Sequence, residues 1–243
     1  MKTNILNLGN RLVNCWAYPI ENGYVIIDTG YKSNYRNFIR QLKKNHIALA
    51  DIKYCFLTHS HDDHTGFLAR LMSLNSDMRV IAHPQALDVL RKGHNPYGGC
   101  TNKSVFAYYK TLTLFGGGKH IFPPITPDLE KRIIIVDESN INELEHILGG
   151  KIIETTGHTR DSICLLLDNG YMFCGDIAMN GFPSRHNVSV WAEEEQQYCA
   201  SWQKVIALKP TKLFPGHGKP FDYKRLEQNF DFAKKIKIYS LNN

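Results

Sequence analysis

Apolar and polar positions follow two rhythms along the chain. "LVNCWAYPI" and "YVIIDTG" are apolar runs separated by "ENG", which predicts two strands joined by a tight hairpin. "YKSNYRNFIRQLKKNHI" places Phe38, Ile39 and Leu42 at helical spacing. "IKYCFLTH" reads as a buried strand, "HTGFLARLMSLNS" as a helix, "RVIAH" as a strand and "PQALDVLRK" as a short helix. Further on, "RIIIVDE", "GKIIETTGH", "SICLLLDNGYMFCGD" and "TKLFPGH" are strand-like, the third folding back at Asp168, Asn169 and Gly170. "AEEEQQYCASWQKVIALK" and "YKRLEQNFDFAKKIKIY" read as helices. Strands alternating with helices predict an α/β fold.

Residues 93–130 interrupt this rhythm. "GHNPYGGC" and "FGGGKHIFPPITPD" are Gly- and Pro-rich, and between them "TNKSVFAYYKTLTLF" reads as an aromatic helix. With no repeat, linker or low-complexity segment, one domain over residues 1–243 with a flap inserted at 93–130 is expected.

Composition narrows the class. The chain has 243 residues and is 43% hydrophobic, which fits a globular protein and excludes disorder. The formal charge of +6 is mild and makes no strong case for nucleic acid. The 6 cysteines form no CxxC pair and are expected as reduced, mostly buried thiols. The first residues lack a signal-peptide pattern, and no apolar run is long enough for a membrane span. A cytoplasmic protein with no membrane partner is expected.

The chemistry concentrates in "FLTHSHDDHTGF". His59, His61, Asp63 and His64 fall at a strand end and the start of a helix. Imidazole nitrogens and carboxylate oxygens are ligands for zinc and similar divalent metals, and a strand end followed by a turn can aim several of them at one point. Three later strands end in a metal-binding residue type: His158 after "IIETTG", Asp176 after "YMFCG" and His217 after "KLFPG". Strand ends followed by Gly-rich turns are where α/β proteins place chemistry.

"THSHDDH", followed in order by "TGHT", "FCGD" and "FPGHG", resembles the signature of the metallo-β-lactamase superfamily, over nearly the whole chain from "YVIIDTG" to "FPGHGKPF". The resemblance implies a four-layer αβ/βα sandwich with two metals at one edge, between two sheets. It implies that His59, His61 and His158 hold the first metal, that Asp63, His64 and His217 hold the second, and that Asp176 bridges them. It favours two Zn2+, because flavodiiron relatives usually carry a carboxylate where this chain has His61; iron and manganese suit the same ligand types. The implied enzyme is a binuclear zinc hydrolase whose hydroxide, bridged between the zinc ions, attacks a small ester, thioester, lactone or lactam. Asp63 then has a catalytic role in orienting the hydroxide or relaying its proton. The alternatives are a nuclease or phosphodiesterase of the same fold, and an iron-dependent oxygen-using member.

Several subfamily marks are missing. The chain ends about 25 residues after His217, short of the C-terminal helical domain of glyoxalase II, and it has Asp176 where some β-lactamases have Cys. "TTGHTRDS" is nearer the "PGHTPGS" of broad hydrolase members than the transfer-RNA-trimming type, although Arg160 and Asp161 replace the usual small residues. A small-molecule substrate is therefore expected, and nucleic acid is disfavoured. Phe106, Tyr108, Tyr109 and Phe115 are expected to form an apolar flap over the metals, hinged at "YGG" and "FGGG". His94, His120 and His186 are read as ordinary residues, with His186 near enough to Asp176 in sequence to enter the pocket.

Overall fold

A computed structural model of the chain describes residues 4–95 and 98–240. The expected hinge at "YGG" begins at residue 97, outside the described residues.

Three hydrophobic clusters divide the protein into four layers. The first sheet runs in the order Leu6–Asn7, Trp16–Ile20, Gly23–Ile27, Ile52–Phe56, Arg79–Ala82, Ile133–Ile135. Its hairpin pairs Ile20 with Gly23 across the two-residue turn expected at "ENG". The second sheet runs Lys212–Pro215, Tyr171–Gly175, Ile163–Leu167, Gly150–Glu154. Val25, Ile27, Phe56 and Ile81 of the first sheet meet Ile152, Leu165, Phe173 and Phe214 of the second in the central cluster. The intervening residues Ile26, Cys55 and Val80 point the other way, as the two-residue period of a strand requires. They pack on Phe38 and Leu42 of helix Tyr35–Lys44 and on Leu68, Leu71 and Met72 of helix Leu68–Leu74. On the outer face of the second sheet, Cys164, Met172 and Cys174 pack on Tyr198, Trp202 and Leu226 from helices Glu195–Leu208 and Lys224–Ala233. The result is an αβ/βα sandwich. Each fully buried Leu, Ile or Phe contributes about 1.5–3 kcal/mol to it.

The elements depart from expectation at three places. The helix read from "HTGFLARLMSLNS" is two, Asp62–Thr65 and Leu68–Leu74. Gly66 lies between them, where a Cβ would strike Lys32 N and the carbonyls of Asp62 and Gly30. The break leaves Asp63 and His64 on a single short turn beside His61. An additional helix, Ile141–Leu148, ends on Gly149 in the left-handed conformation. The last predicted helix stops at Ala233, and Tyr239–Ser240 is a strand. That strand pairs with Gly99–Cys100, which also pairs with Trp191–Ala192. This small third sheet roots the segment 93–130.

The six cysteines are all free thiols, five of them buried. Among the described residues no helix is long and apolar enough to cross a membrane.

Candidate metal centre

The loops that follow five strand ends converge at one edge of the sandwich, and the local reasons are visible. Asp28, just past strand Gly23–Ile27, takes a left-handed φ of 58° that turns its carboxylate under the next loop. That carboxylate receives the Thr58 N–H and hydroxyl, each at 2.7 Å, and lies 2.8 Å from His64 Nδ1. Gly216 precedes His217, and a Cβ there would run into Asp176 Oδ1 and the His64 ring. Only glycine lets the "PGH" strand end approach this closely.

All seven side chains singled out above meet here. His59, His61 and His158 form one group, Asp63, His64 and His217 a second, and His59, His64 and Asp176 a third that joins them. His158 Nε2 is 3.2 Å from both His59 Nε2 and His61 Nδ1. His217 Nε2 is 3.1 Å from Asp63 Oδ2 and 3.2 Å from Asp176 Oδ2. Asp176 Oδ2 also lies 3.7 Å from His64 Nε2 and 3.9 Å from His158 Nε2, so it faces both groups.

The opposite ring nitrogens set the tautomers. His158 Nδ1 donates to the Trp191 carbonyl at 2.7 Å and His217 Nδ1 to the Leu12 carbonyl at 2.6 Å. A carbonyl only accepts, so both Nδ1 atoms carry hydrogen and both Nε2 atoms face the centre. Thr58 gives its one hydroxyl hydrogen to Asp28, so its oxygen accepts from His59 Nδ1 at 3.0 Å. This leaves the His59 Nε2 lone pair facing inward. Anchoring of the remote nitrogen is the usual support for a metal-binding histidine.

The charges split the centre in two. Burial, reinforced by the neighbouring histidines, holds His59 and His61 well below the ordinary imidazole range, and burial lowers His158 as well. These three are neutral rings that could serve as ligands. Burial also opposes charge on His64, but Asp63, Asp28 and Asp176 outweigh it and raise it well above that range. His217 is likewise pushed up, to about 10, by Asp176 and Asp63 against burial. The two carboxylates are held below their ordinary range by His64 and His217, again against burial.

His64 Nε2 and Asp176 Oδ1 are buried without a hydrogen-bond partner. Orphaned buried polar atoms are costly and rare. A ring nitrogen that becomes a lone-pair donor once His64 gives up its proton, and a carboxylate oxygen, are what a divalent cation would satisfy, so the residues present fit zinc, iron or manganese.

A cleft of ≈ 650 Å3 opens over the centre. Tyr108 and Tyr109 of helix Lys103–Leu114 line it, with Trp191, Tyr31 and Phe182. Phe106 does not line it but packs on Tyr239, and Phe115 is 85% exposed, so two of the four expected flap aromatics lie elsewhere. Phe106 and Tyr109, three residues apart, share a helix face and both pack around Cys100, Val105 and Trp191, but Phe106 meets Tyr239 whereas Tyr109 meets His120 and Trp191 at the cleft. His186 also misses the cleft and stacks on Phe232 at 3.6 Å.

His120, read as ordinary, does line the cleft, with Nδ1 3.1 Å from Asp62 Oδ1. Asp28 was not singled out either. Its signal is the polar residue closing the apolar run "YVIID", which the sequence offers but does not connect to His64.

The curated relatives with similar sequences span different activities. The chain is 23% identical over 203 residues to beta-lactamase-like protein 2 homolog of Drosophila melanogaster, covering 80% of this chain and 54% of that one. It is 24% identical over 203 residues to hydroxyacylglutathione hydrolase of Actinobacillus pleuropneumoniae, covering 83% and 64%. It is 34% identical to the anaerobic nitric oxide reductase flavorubredoxin of Escherichia coli over 109 residues, 45% of this chain and 22% of that one. The chain thus spans less than two thirds of the length of these relatives.

Solved structures share the fold. A Cronobacter sakazakii metallo-beta-lactamase superposes with a TM-score of 0.67 at 18% identity, covering 95% of this chain and 88% of that one. TTHA1623, solved in a di-iron-bound form, superposes at 0.65 with 19% identity, covering 94% and 99%. The profile of the metallo-beta-lactamase superfamily matches residues 8–217, a stretch that takes in all of the second sheet, five of the six strands of the first and all seven converging side chains, and the chain belongs to that superfamily.

Proposed function

We propose that the protein is a metal-dependent hydrolase of a small ester, thioester, lactone or lactam, holding two zinc ions. The observation that carries this reading is the convergence of seven donor side chains on a centre that leaves buried donor atoms of His64 and Asp176 unpartnered. His59, His61 and His158 would hold one ion; Asp63, His64 and His217 would hold the other, with Asp176 serving both. When bound, the pair of ions supplies Lewis acidity and brings the pKa of water down to about 7.

The side chains do the rest. Asp63 accepts the proton of the attacking water as the new bond to the acyl carbon forms. As the bond from that carbon to the leaving oxygen, sulfur or nitrogen breaks, the leaving group takes up a proton, and the products are the acid and the released arm. Tyr108, Tyr109 and Trp191 border the cleft with apolar surface, which holds an acyl chain or ring and keeps bulk water out. In this reading the segment 93–130 is a flap that selects the substrate.

A panel of acyl esters, thioesters, lactones, lactams and phosphodiesters, offered to the metal-loaded protein, tests the proposal. Cleavage of acyl substrates is expected to predominate. Turnover confined to phosphodiesters would replace the acyl reading with a nuclease one. The likeness to flavorubredoxin motivates one further arm: elemental analysis, where two iron and no zinc per chain would favour the oxygen-using alternative.

A further inference from the structure

Next to the metal cleft lies a second cavity of ≈ 330 Å3. Pro183 and Val190 line both, so the two are separated by a single shared wall. The far side of the second cavity is built from Arg185, His186, Phe232, Lys235, Lys237 and Tyr239. Among the described residues three permanent cations line it and no carboxylate does. Lys103 adds a fourth cation nearby, with Nζ 6.0 Å from the Tyr239 ring centre.

Among the described residues, Arg185, Lys235 and Lys237 have no salt-bridge partner, whereas Lys234, one position away, pairs with Asp231 at 3.5 Å. Like charges gathered in a concave site raise the local potential and attract an anion.

Their positions are set by three separate pieces of the fold. His186 and Asn187 both take left-handed φ, 56° and 61°, which non-glycine residues seldom do in succession. Side-chain bonds hold that turn: Asn187 Nδ2 to the Met179 carbonyl at 3.0 Å, and Asn229 Nδ2 to Asn187 Oδ1 at 3.0 Å. The flat stack of His186 on Phe232 ties the turn to helix Lys224–Ala233. Pairing of Tyr239 with Cys100 brings Lys235 and Lys237 to the same place.

We infer that this cavity is a subsite for a phosphate or carboxylate group carried on the leaving-group arm of the substrate, an inference that rests on the acyl-hydrolase reading. The acyl part occupies the cleft beside Tyr109 and Trp191. The arm crosses Pro183 and Val190, and its anionic end meets Arg185, Lys235 and Lys237. The substrate class is then an acyl ester or thioester of an anionic alcohol or thiol.

The test uses metal-loaded protein and three esters of one acyl group, whose alcohols end in a neutral, a phosphate or a carboxylate group. Wild-type KM should be lower for an anionic ester than for the neutral one, and the better anion identifies which group the site takes. In the double variant Arg185→Ala/Lys237→Ala, KM for that ester should rise about ten- to a hundredfold while kcat and the neutral ester are unchanged. Added salt should raise the same KM in wild type. Arg185→Glu, a single surface change, should act in the same direction. Equal KM for the three esters in wild type overturns the proposal, and so does a variant that weakens neutral and anionic esters alike. Calorimetry with propyl phosphate and glutarate separates the two readings. Binding that the double variant abolishes, with no ester hydrolysed, supports the anion site and removes the hydrolase reading. Binding that the variant leaves intact overturns the site.

Discussion

Asp28 Oδ2 lies 2.8 Å from His64 Nδ1, with both groups buried beneath the candidate metal centre. The same carboxylate holds Thr58, whose oxygen in turn accepts from His59. One carboxylate outside the donor set therefore orients a ring in each half of the centre.

Replacing it tests that support. Asp28→Asn tolerates the left-handed backbone, so the fold should survive. Zinc affinity, measured by competition with a chelator, should fall about 10–100-fold, as expected when an outer partner of a metal-binding histidine is lost. Unchanged affinity would show that His64 needs no such anchor.

Asp63 faces the cleft and lies 3.1 Å from His217. Asp63→Asn should keep the fold and lower kcat on a cleaved substrate about 10²–10⁴-fold, read against the metal content of each preparation because Asp63 also belongs to the donor set. Near-normal turnover would assign the proton transfer to another group.

The two aromatics of helix Lys103–Leu114 are predicted to behave differently. Tyr109 lines the cleft, with its ring centre 5.5 Å from that of Trp191, while Phe106 packs on Tyr239. Tyr109→Ala should raise KM for bulky acyl groups several-fold, about 1 kcal/mol of lost aromatic contact, with metal content unchanged. Phe106→Ala should not discriminate between bulky and small substrates. Equal KM profiles for the two variants would make the helix packing only.

Metal-free protein should have a stability maximum near pH 6.5. Below about 6.5 the unfolded chain protonates His59, His61 and His158, which the folded state keeps neutral, so stability falls as pH falls. His64 and His217 have raised values, so their contribution is complete below about 6.5. It is lost as pH rises, for His217 through about 10. Urea midpoints from pH 5 to 10 in chelator should trace both limbs. A profile that only rises or only falls contradicts this assignment of charges.

Much was legible in the sequence because strands report themselves locally. "IKYCFLTH" is apolar from Tyr54 through Leu57 and turns polar where the strand leaves the sheet, and the two-residue period places Phe56 and Cys55 on opposite faces without any knowledge of partners. The seven donor side chains were readable for the same reason, since each follows an apolar run that must stop at the sheet edge. The short turn carrying Asp63 and His64 was read as part of one longer helix, because the contact that breaks that helix involves Gly30 and Lys32, more than thirty residues away.

What only the tertiary structure decided were the relations between segments distant in the chain. Which nitrogen His217 and His158 offer depends on the carbonyls of Leu12 and Trp191, which carry no side-chain signature. The flap's inward face depends on packing against Cys100 and Trp191, so the pattern of aromatics in "VFAYYKTLTLF" could not say that Tyr109 faces the cleft while Phe106 does not. The basic cavity joins Arg185 to Lys235 and Lys237 through a turn in left-handed backbone and a strand pairing at Cys100. Local patterning encodes burial and element type; orientation of a ring or the meeting of separated cations is set by contacts whose partners the pattern does not name.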